Sequence, residues 1–334
     1  MTAESFCQSI WHLPYNKIID LISKDEYKQF EIPKKKGVRT ISFLSEESQL
    51  YLLQKKFSKH FLEKQQLPVC VKGFIKGESY ISYLESHVGS KYFMRIDIKD
   101  FFPSITEKKI KDIFSNLISL ETKDDNKNIL DLISEITTYN GVLPQGACSS
   151  PMISNIIMMR IDQRILKYCQ MLGVSYTRYA DDLLFSSKSF DFKNKKWFLK
   201  KVKHILYSQN FTVNYNKIKY GEKEISLNGY VVSDLGIRLS RERLADLKKA
   251  LSFSRKHYKL AKTSKKLFLQ NANSITLKHR NLKIYPFNSV FQFTQFLSGY
   301  RSYLISFLKY DIDPQFLKKA LRLLRNIESQ LNLY

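Results

Sequence analysis

Three aspartates carry the residue types and spacing for phosphoryl chemistry. Asp181 and Asp182 are adjacent in Tyr176-Thr-Arg-Tyr179-Ala-Asp181-Asp182-Leu-Leu-Phe185-Ser186, between a β-prone half and an apolar half. That composition predicts a hairpin with the acids at or beside its turn. Side chains alternate across a strand, so the two acids share a direction only if the turn re-aims one of them. An Asp pair is also ordinary turn chemistry, and the hairpin alone fits either reading. Asp97 changes the weighing, because it ends the mostly apolar strand Tyr92-Phe-Met-Arg95-Ile-Asp97-Ile98. A carboxylate there is costly unless it is paired or metal-bound. A strand-borne Asp brought against a hairpin Asp pair makes a two-metal site, in which two Mg²⁺ ions about 3.5–4 Å apart stabilise the attacking and leaving oxygens. Mg²⁺ retains water and substrate phosphates in its shell, so three carboxylates suffice.

The remaining composition narrows the partners. A formal charge of +24 on 334 residues points to a polyanion, most often nucleic acid. No apolar run reaches the ~18 residues of a spanning helix. The start, Met1-Thr-Ala-Glu-Ser, lacks the basic and apolar segments of a secretory signal. Cys7, Cys70, Cys148 and Cys169 show no C-x-x-C spacing and the six histidines are scattered, which argues against a zinc site or a disulfide framework. A cytoplasmic protein without membrane contact is expected.

The elements that must position the acids follow from periodicity. Residues 5–30 read as a helical lead-in broken at Leu13-Pro14. Lys34-Lys35-Lys36-Gly37 then turns into a strand bearing Arg39, either a phosphate-gripping hairpin or a solvated lysine cluster. Leu50, Leu53, Phe57 and Phe61 predict a helix over 46–65, and a glycine-containing loop or hairpin follows at Val71–Ser79. Thr106 caps a helix with Ile110, Ile113 and Phe114 on one stripe. Residues 121–128 read as a polar loop before a helix at 129–136. Ser150 reads as the cap and Pro151 as the first turn of a helix ending near Gly173. The last hundred residues read as helices at 241–266, at 287–308, and after Asp313-Pro314. Lys248, Lys249, Arg255, Lys256, Lys259, Lys262 and Lys265 lie between the leucines of the first, a face suited to phosphates. Phe291, Phe293, Phe296, Tyr300 and Tyr303 of the second read as core ahead of a platform for RNA bases.

The order Arg95-Ile-Asp97-Ile-Lys-Asp100-Phe-Phe102, Leu143-Pro-Gln145-Gly-Ala-Cys-Ser-Ser150-Pro and Tyr179-Ala-Asp-Asp182 resembles the palm motifs of the reverse transcriptase family, within it the bacterial retron-type enzymes. The likeness runs over roughly residues 30 to 240. It implies an α+β right-hand polymerase. Residues 1–30 would be the lead-in, 31–91 and 112–142 the fingers, and 92–111 and 143–236 a palm of antiparallel sheet backed by helices. Residues 237–334 would be a helical thumb with an RNA-binding surface. The resemblance makes Asp97, Asp181 and Asp182 catalytic and places two Mg²⁺, or Mn²⁺ in their stead, on them and on the carbonyl of Ile98. It assigns Lys36 and Arg39 to the incoming triphosphate, with Asp100 beside it through its backbone N–H. Gln145 would contact the nucleotide, Gly146 would approach a base pair, and Lys217 would lie near the β and γ phosphates. Phe102 falls at the steric gate, where a flat ring beneath the sugar excludes a 2′-hydroxyl by clash. Asn228 and Gly229 fall in the primer grip.

The activity so implied is that of an RNA-directed DNA polymerase, a nucleotidyltransferase using dNTPs. The resemblance to retrons implies a structured non-coding RNA as template and primer. It also implies a branched RNA–DNA product (msDNA), and a role in antiphage defence with a separate effector protein. Two stretches differ from the retron pattern. Tyr83-Leu-Glu-Ser-His87 keeps only the His of Asn-Ala-x-x-His, and Leu227-Asn228-Gly229 keeps only the Gly of Val-Thr-Gly. A defence-associated reverse transcriptase outside the retrons, with another template or priming, is therefore the alternative. A non-catalytic RNA-binding scaffold is a further one, against which the intact acid triad argues. The acids after residue 234 (Glu242, Asp246, Asp311, Asp313, Glu328) fall mostly at helix starts and make no ribonuclease H cluster.

Overall fold

The computed structural model describes residues 1–33, 37–308 and 313–334. At the N-terminus Thr2 accepts from the Ser5 N–H and starts α1 (Ala3–Trp11), and α2 (Tyr15–Asp20) follows the Leu13-Pro14 break. β1 (Lys28–Pro33) and β2 (Val38–Phe43) pair antiparallel with Pro33 opposite Val38. α3 (Gln49–His60) is shorter than expected, because Ser48 takes the cap and a 3₁₀ turn at Leu62–Lys64 replaces its end. Its apolar stripe carries Phe57, on which fully buried Trp11 stacks at 5.6 Å between ring centroids. The Trp11 indole N–H donates to the Leu53 carbonyl at 3.0 Å.

Next come α4 (Tyr80–Glu85), β3 (Tyr92–Asp97), α5 (Glu107–Phe114) and α6 (Lys123–Thr137). The polar loop expected at 121–128 is largely the first turns of α6. Thr122 accepts from the Asp125 N–H, and Asp124 and Asp125 lie in the first turn. There their charge meets the positive end of the helix dipole, a signal that hydropathy does not carry.

α7 (Ser150–Gln170) precedes β4 (Ser175–Tyr179), β5 (Asp182–Ser187), α8 (Lys196–Tyr207) and β6 (Lys219–Glu222). Pro151 occupies the first turn of α7, but Ser150 is not its cap. Ser149 holds that position with helical dihedrals. Both hydroxyls are buried without a hydrogen-bond partner among the described residues. The sheet order is β4-β5-β3-β6.

β7 (Glu224–Leu227), β8 (Tyr230–Ser233) and β9 (Gly236–Leu239) form an antiparallel meander. The helices α9 (Arg241–Thr263), α10 (Lys265–Asn273), α11 (Val290–Leu308) and α12 (Pro314–Leu331) complete the chain. The single helix expected at 241–266 breaks at Ser264, whose dihedrals are not helical. Leu247 and Leu251 of α9 are buried while Lys248, Lys249, Arg255, Lys256, Lys259 and Lys262 are exposed. On α11, Phe293 and Tyr300 are core and Phe291 is 67% exposed. Asp246 lies inside α9 rather than at its start, and accepts the N–H groups of Lys278 and His279.

Packing divides the chain into two units. One comprises residues 1–83, 95–184 and 194–219, the other 84–94, 185–193 and 220–334. In the first unit the lead-in helix α1 is a packing element. Trp11→Ala is expected to cost about 3–5 kcal/mol of stability, read by urea unfolding, since it removes a large buried ring and leaves a cavity.

Candidate active site

In the first unit β3 ends at Asp97 beside the β4–β5 hairpin, which carries Asp181 and Asp182 at its turn. Arg95 and Asp97 are two apart on β3, so their side chains share a face. Asp97 is 3% exposed. The hairpin turns over Ala180-Asp181, with Ala180 left-handed at φ 56. Few non-glycine residues adopt that conformation, and it turns the chain just before the two acids. Asp181 is half-buried and Asp182 is 7% exposed. The Ile98 N–H donates to the Asp181 carbonyl at 3.0 Å, which stitches the end of β3 to the turn. On the other side of β3, the Asn214 N–H donates to the Asp97 carbonyl at 2.8 Å.

Cationic side chains meet two of the carboxylates. Arg95 donates from Nε to Asp182 Oδ1 at 2.9 Å and contacts the same oxygen through Nη2. Lys217 Nζ lies 2.8 and 3.1 Å from the two oxygens of Asp97, although its own side chain is 56% exposed. No ion pair engages Asp181 among the described residues. Burial, then the charge of Asp97, raises Asp181 above the usual carboxylate range. Asp182 is pushed up to about 6, chiefly by burial, with Arg95 opposing and Asp181 adding. Burial works against the charge of Arg95 as well, but Asp182 outweighs it and keeps the guanidinium charged.

Among the described residues, no three acid, histidine or cysteine side chains converge closely enough to hold an ion as they stand. The donor chemistry nonetheless fits a divalent cation. The groups are hard oxygen ligands, sheltered from water, whose mutual repulsion such an ion relieves. Arg95 and Lys217 lie on oxygens the ion would take, so loading requires both to yield.

The other candidates differ in their surroundings. Phe101 is core, whereas Phe102 is half-buried and rests edge-on against Phe101 (5.4 Å) and Phe74 (6.5 Å). Asp100 is exposed and left-handed at φ 46. Arg39 is exposed on β2 and ion-pairs with no acid among the described residues. Lys36 lies outside the described residues. The Gln145 carbonyl accepts from the Ser42 N–H at 2.9 Å, which ties its loop to β2. Gly146 makes a close approach to β2. A Cβ there, at φ 125, would lie 2.7 Å from Ile41 Cγ2 and 2.8 Å from the Ser42 carbonyl. Residues 71–79 form no hairpin. Val71 instead bridges β4 at Arg178, parallel to it.

In the second unit, Asn228 (φ 48) and Gly229 (φ 89) form the two-residue turn between β7 and β8, a conformation that Asn-Gly favours. A Cβ on Gly229 would run into the Arg243 guanidinium. That group donates to the Asn228 carbonyl at 3.1 Å and lies 4.8 Å over the Tyr303 ring.

Sequence reasoning missed Arg95, and with it the buried trio Arg178, Asp162 and Asn155. The i, i+2 relation to Asp97 was a usable sign for Arg95. Nothing local marks the other three, whose contacts span 16 and 82 positions of the chain.

A family model described as reverse transcriptase (RNA-dependent DNA polymerase) matches residues 28–232. The retron Ec86 reverse transcriptase of Escherichia coli is 32% identical over 231 residues, 66% of this chain and 68% of that one. The retron Mx162 reverse transcriptase of Myxococcus xanthus is 28% identical over 256 residues, 67% of this chain and 52% of that one. Among solved structures, telomerase from Candida albicans in complex with a fragment of telomeric RNA aligns at TM-score 0.47 with 14% identity, covering 91% of this chain and 63% of that one. The chain thus spans 68% and 52% of the length of these two retron relatives.

The raised value of Asp182 gives a pH test. Its folded value, about 6, exceeds the ~4 of an unfolded Asp. In the metal-free protein the favourable protonated form is present below ~4, and its stabilisation is lost as pH rises through about 6. Were a divalent ion held at this carboxylate, protons would compete with it. The rise in Tm caused by Mg²⁺ or Mn²⁺ is expected to be large at pH 7.5 and to shrink towards zero at pH 5. An equal rise at both would remove Asp182 from the ion site.

Proposed function

The chain belongs to the reverse transcriptase family, the RNA-dependent DNA polymerases, and from that premise we propose that it copies an RNA template into DNA with Asp97, Asp181 and Asp182 as its catalytic carboxylates. The observation that carries this reading is the meeting of a buried strand-end acid with the acids of a left-handed turn, joined by the Ile98–Asp181 backbone bond. The three carboxylates and the Ile98 carbonyl would hold two Mg²⁺, with Mn²⁺ as a substitute. When bound, these ions supply activation of a primer hydroxyl and neutralise charge on the triphosphate and the departing pyrophosphate.

The chain's own residues do the rest. Lys217 neutralises Asp97 until a cation takes that place. Its exposed ammonium then reaches the β and γ phosphates and gives a proton to pyrophosphate. Arg39 meets phosphate oxygens bidentately, a task its planar fork suits better than an ammonium does. Lys36, the Asp100 N–H and Gln145 complete the nucleotide contacts, and the turn Asn228-Gly229 grips the primer. Phe102, propped by Phe101 and Phe74, is the flat floor that excludes a 2′-hydroxyl. Residues 31–91 and 112–142 act as fingers, 92–111 and 143–236 as palm, and 237–334 as thumb. The exposed lysines and arginines of α9, within a net charge of +24, receive the hybrid's phosphates.

The named relatives favour a retron role. In it the template is a structured non-coding RNA, priming uses one of its 2′-hydroxyls, and the product is a branched RNA–DNA hybrid (msDNA) that serves antiphage defence with a separate effector. The departures at Tyr83–His87 and Leu227–Gly229 favour a second reading, a defence-associated enzyme with another template or primer. Sequencing the co-purifying nucleic acid separates the two, since only the first predicts a branch. Among the described residues no helix is long and apolar enough to cross a membrane. A cytoplasmic site of action accords with these substrates.

Two substitutions test the chemistry. The double variant Asp181→Asn, Asp182→Asn is expected to bind RNA as the wild type does in a filter assay and to lose primer extension. Retained extension refutes the mechanism. Phe102→Ala is expected to lower discrimination against ribonucleotides by about tenfold or more, measured as the ratio of kcat/KM values. An unchanged ratio removes Phe102 from the gate.

A further inference from the structure

Behind the acid-bearing turn lies an ion pair withdrawn entirely from water. Arg178 of β4 and Asp162 of α7 are both 0% exposed. Arg178 Nε donates to Asp162 Oδ1 and Oδ2 at 2.9 and 3.0 Å, and Nη2 donates to Oδ2 at 2.7 Å. The Tyr176 hydroxyl donates to Asp162 Oδ1 at 2.8 Å. The remaining nitrogen, Nη1, donates to the carbonyl of left-handed Ala180 at 3.0 Å and to Asn155 Oδ1 at 3.1 Å. A guanidinium cannot accept a hydrogen bond, so the oxygen of Asn155 must face it and the amide nitrogen must face away. That nitrogen donates to the Gly73 carbonyl at 2.9 Å.

The segment so held is pressed directly on the turn. A Cβ at Gly73 would lie 2.6 Å from the Ala180 nitrogen. On the main chain, the Arg178 N–H donates to the Cys70 carbonyl at 2.7 Å, and the Lys72 N–H donates to the Arg178 carbonyl at 2.8 Å. A buried ion pair contributes little stability over apolar residues of the same volume, so stability alone is a weak reason for this arrangement. Its geometry does something apolar residues could not, since it fixes the carbonyl of the one residue that separates β4 from Asp181.

We propose that Arg178, Asp162 and Asn155 form a clamp that holds the left-handed Ala180 turn against the segment 70–73. In it Asn155 is a positioning residue, setting the geometry with which Asp181 and Asp182 receive divalent ions. Asn155 touches no carboxylate of the site, and acts through Arg178 on one side and Gly73 on the other. The inference rests on the reading of Asp181 and Asp182 as metal-holding acids.

The test is Mn²⁺ binding to the full chain without nucleic acid, followed by the solution EPR signal of free Mn²⁺ well below each variant's Tm. Asn155→Ala keeps the Arg178–Asp162 pair but frees Gly73, and is expected to weaken Mn²⁺ affinity about tenfold, the scale of loss when a ligand's support is removed. Asn155→Ser is expected to fall between it and the wild type, and carries the comparison if the alanine variant does not accumulate folded. Tyr176→Phe is the control. It removes a buried bond to Asp162 without touching the turn, so Tm should fall while Mn²⁺ affinity stays unchanged. In primer extension, the Mg²⁺ needed for half-maximal rate should rise with the Asn155 variants while KM for dNTP holds. Mn²⁺ affinity unchanged in the Asn155 variants, or lowered equally in Tyr176→Phe, overturns the proposal. If Asp181→Asn, Asp182→Asn also leaves Mn²⁺ affinity unchanged, the underlying reading fails instead.

Discussion

Three carboxylates held together with little water around them repel one another, and the surrounding structure answers that repulsion. Burial and mutual charge raise Asp181 and carry Asp182 to about 6. Groups so placed must either take up protons or be met by cations. Arg95 and Lys217 meet two of them here, from β3 itself and from the turn after Asn214. In the proposed working state divalent ions take over that neutralisation, and the same repulsion that makes the apo site costly becomes affinity for the ion. The two side-chain cations thus act as stand-ins, and the exposure of Lys217 leaves it free to move to another anion.

What keeps the acids from drifting apart is main-chain and buried polar structure rather than apolar packing alone. The Ile98–Asp181 bond joins strand to turn, and the clamp from α7 fixes the turn from behind. The loop before α7 is joined to β2 through Ser42 and the close seat of Gly146, so the strand bearing Arg39 and the helix bearing Asn155 and Asp162 belong to one bonded set. Within the second unit a different device fixes a turn. Arg243 fills the space a Cβ on Gly229 would need, holds the Asn228 carbonyl and lies over Tyr303. Both cases use an arginine to hold the carbonyl of a left-handed residue.

Much of this was legible beforehand because it is local. The hairpin with acids at its turn, the caps at Thr106 and Asp313, and the core face of α9 all follow from residue types within a few positions of one another. The failures have physical causes of the same scale. Residues 121–128 looked like a loop because a capped first helical turn is polar on all sides. Ser150 looked like a cap because Ser-Pro is a common helix start, yet Ser149 precedes it in helical conformation. The tight seat of Gly146 against β2 is likewise a contact between distant stretches that no local pattern announces. The clamp was invisible because a lone Arg, Asp and Asn, far apart in the chain, have no pattern until the fold brings them together. Lys217 was assigned to phosphates, and its seat on Asp97 could not be foreseen without knowing that the strand end and residue 217 meet.

The central claim, that Asp97, Asp181 and Asp182 share a pair of divalent ions, is tested most directly by anomalous diffraction from crystals of the protein grown with Mn²⁺, a dNTP and a template–primer duplex. The account predicts two anomalous peaks about 3.5–4 Å apart between these carboxylates, with Arg95 and Lys217 withdrawn from the oxygens they contact here. Crystals with bound nucleotide but no peak within reach of Asp97, and with both cationic side chains still seated on the acids, would contradict it.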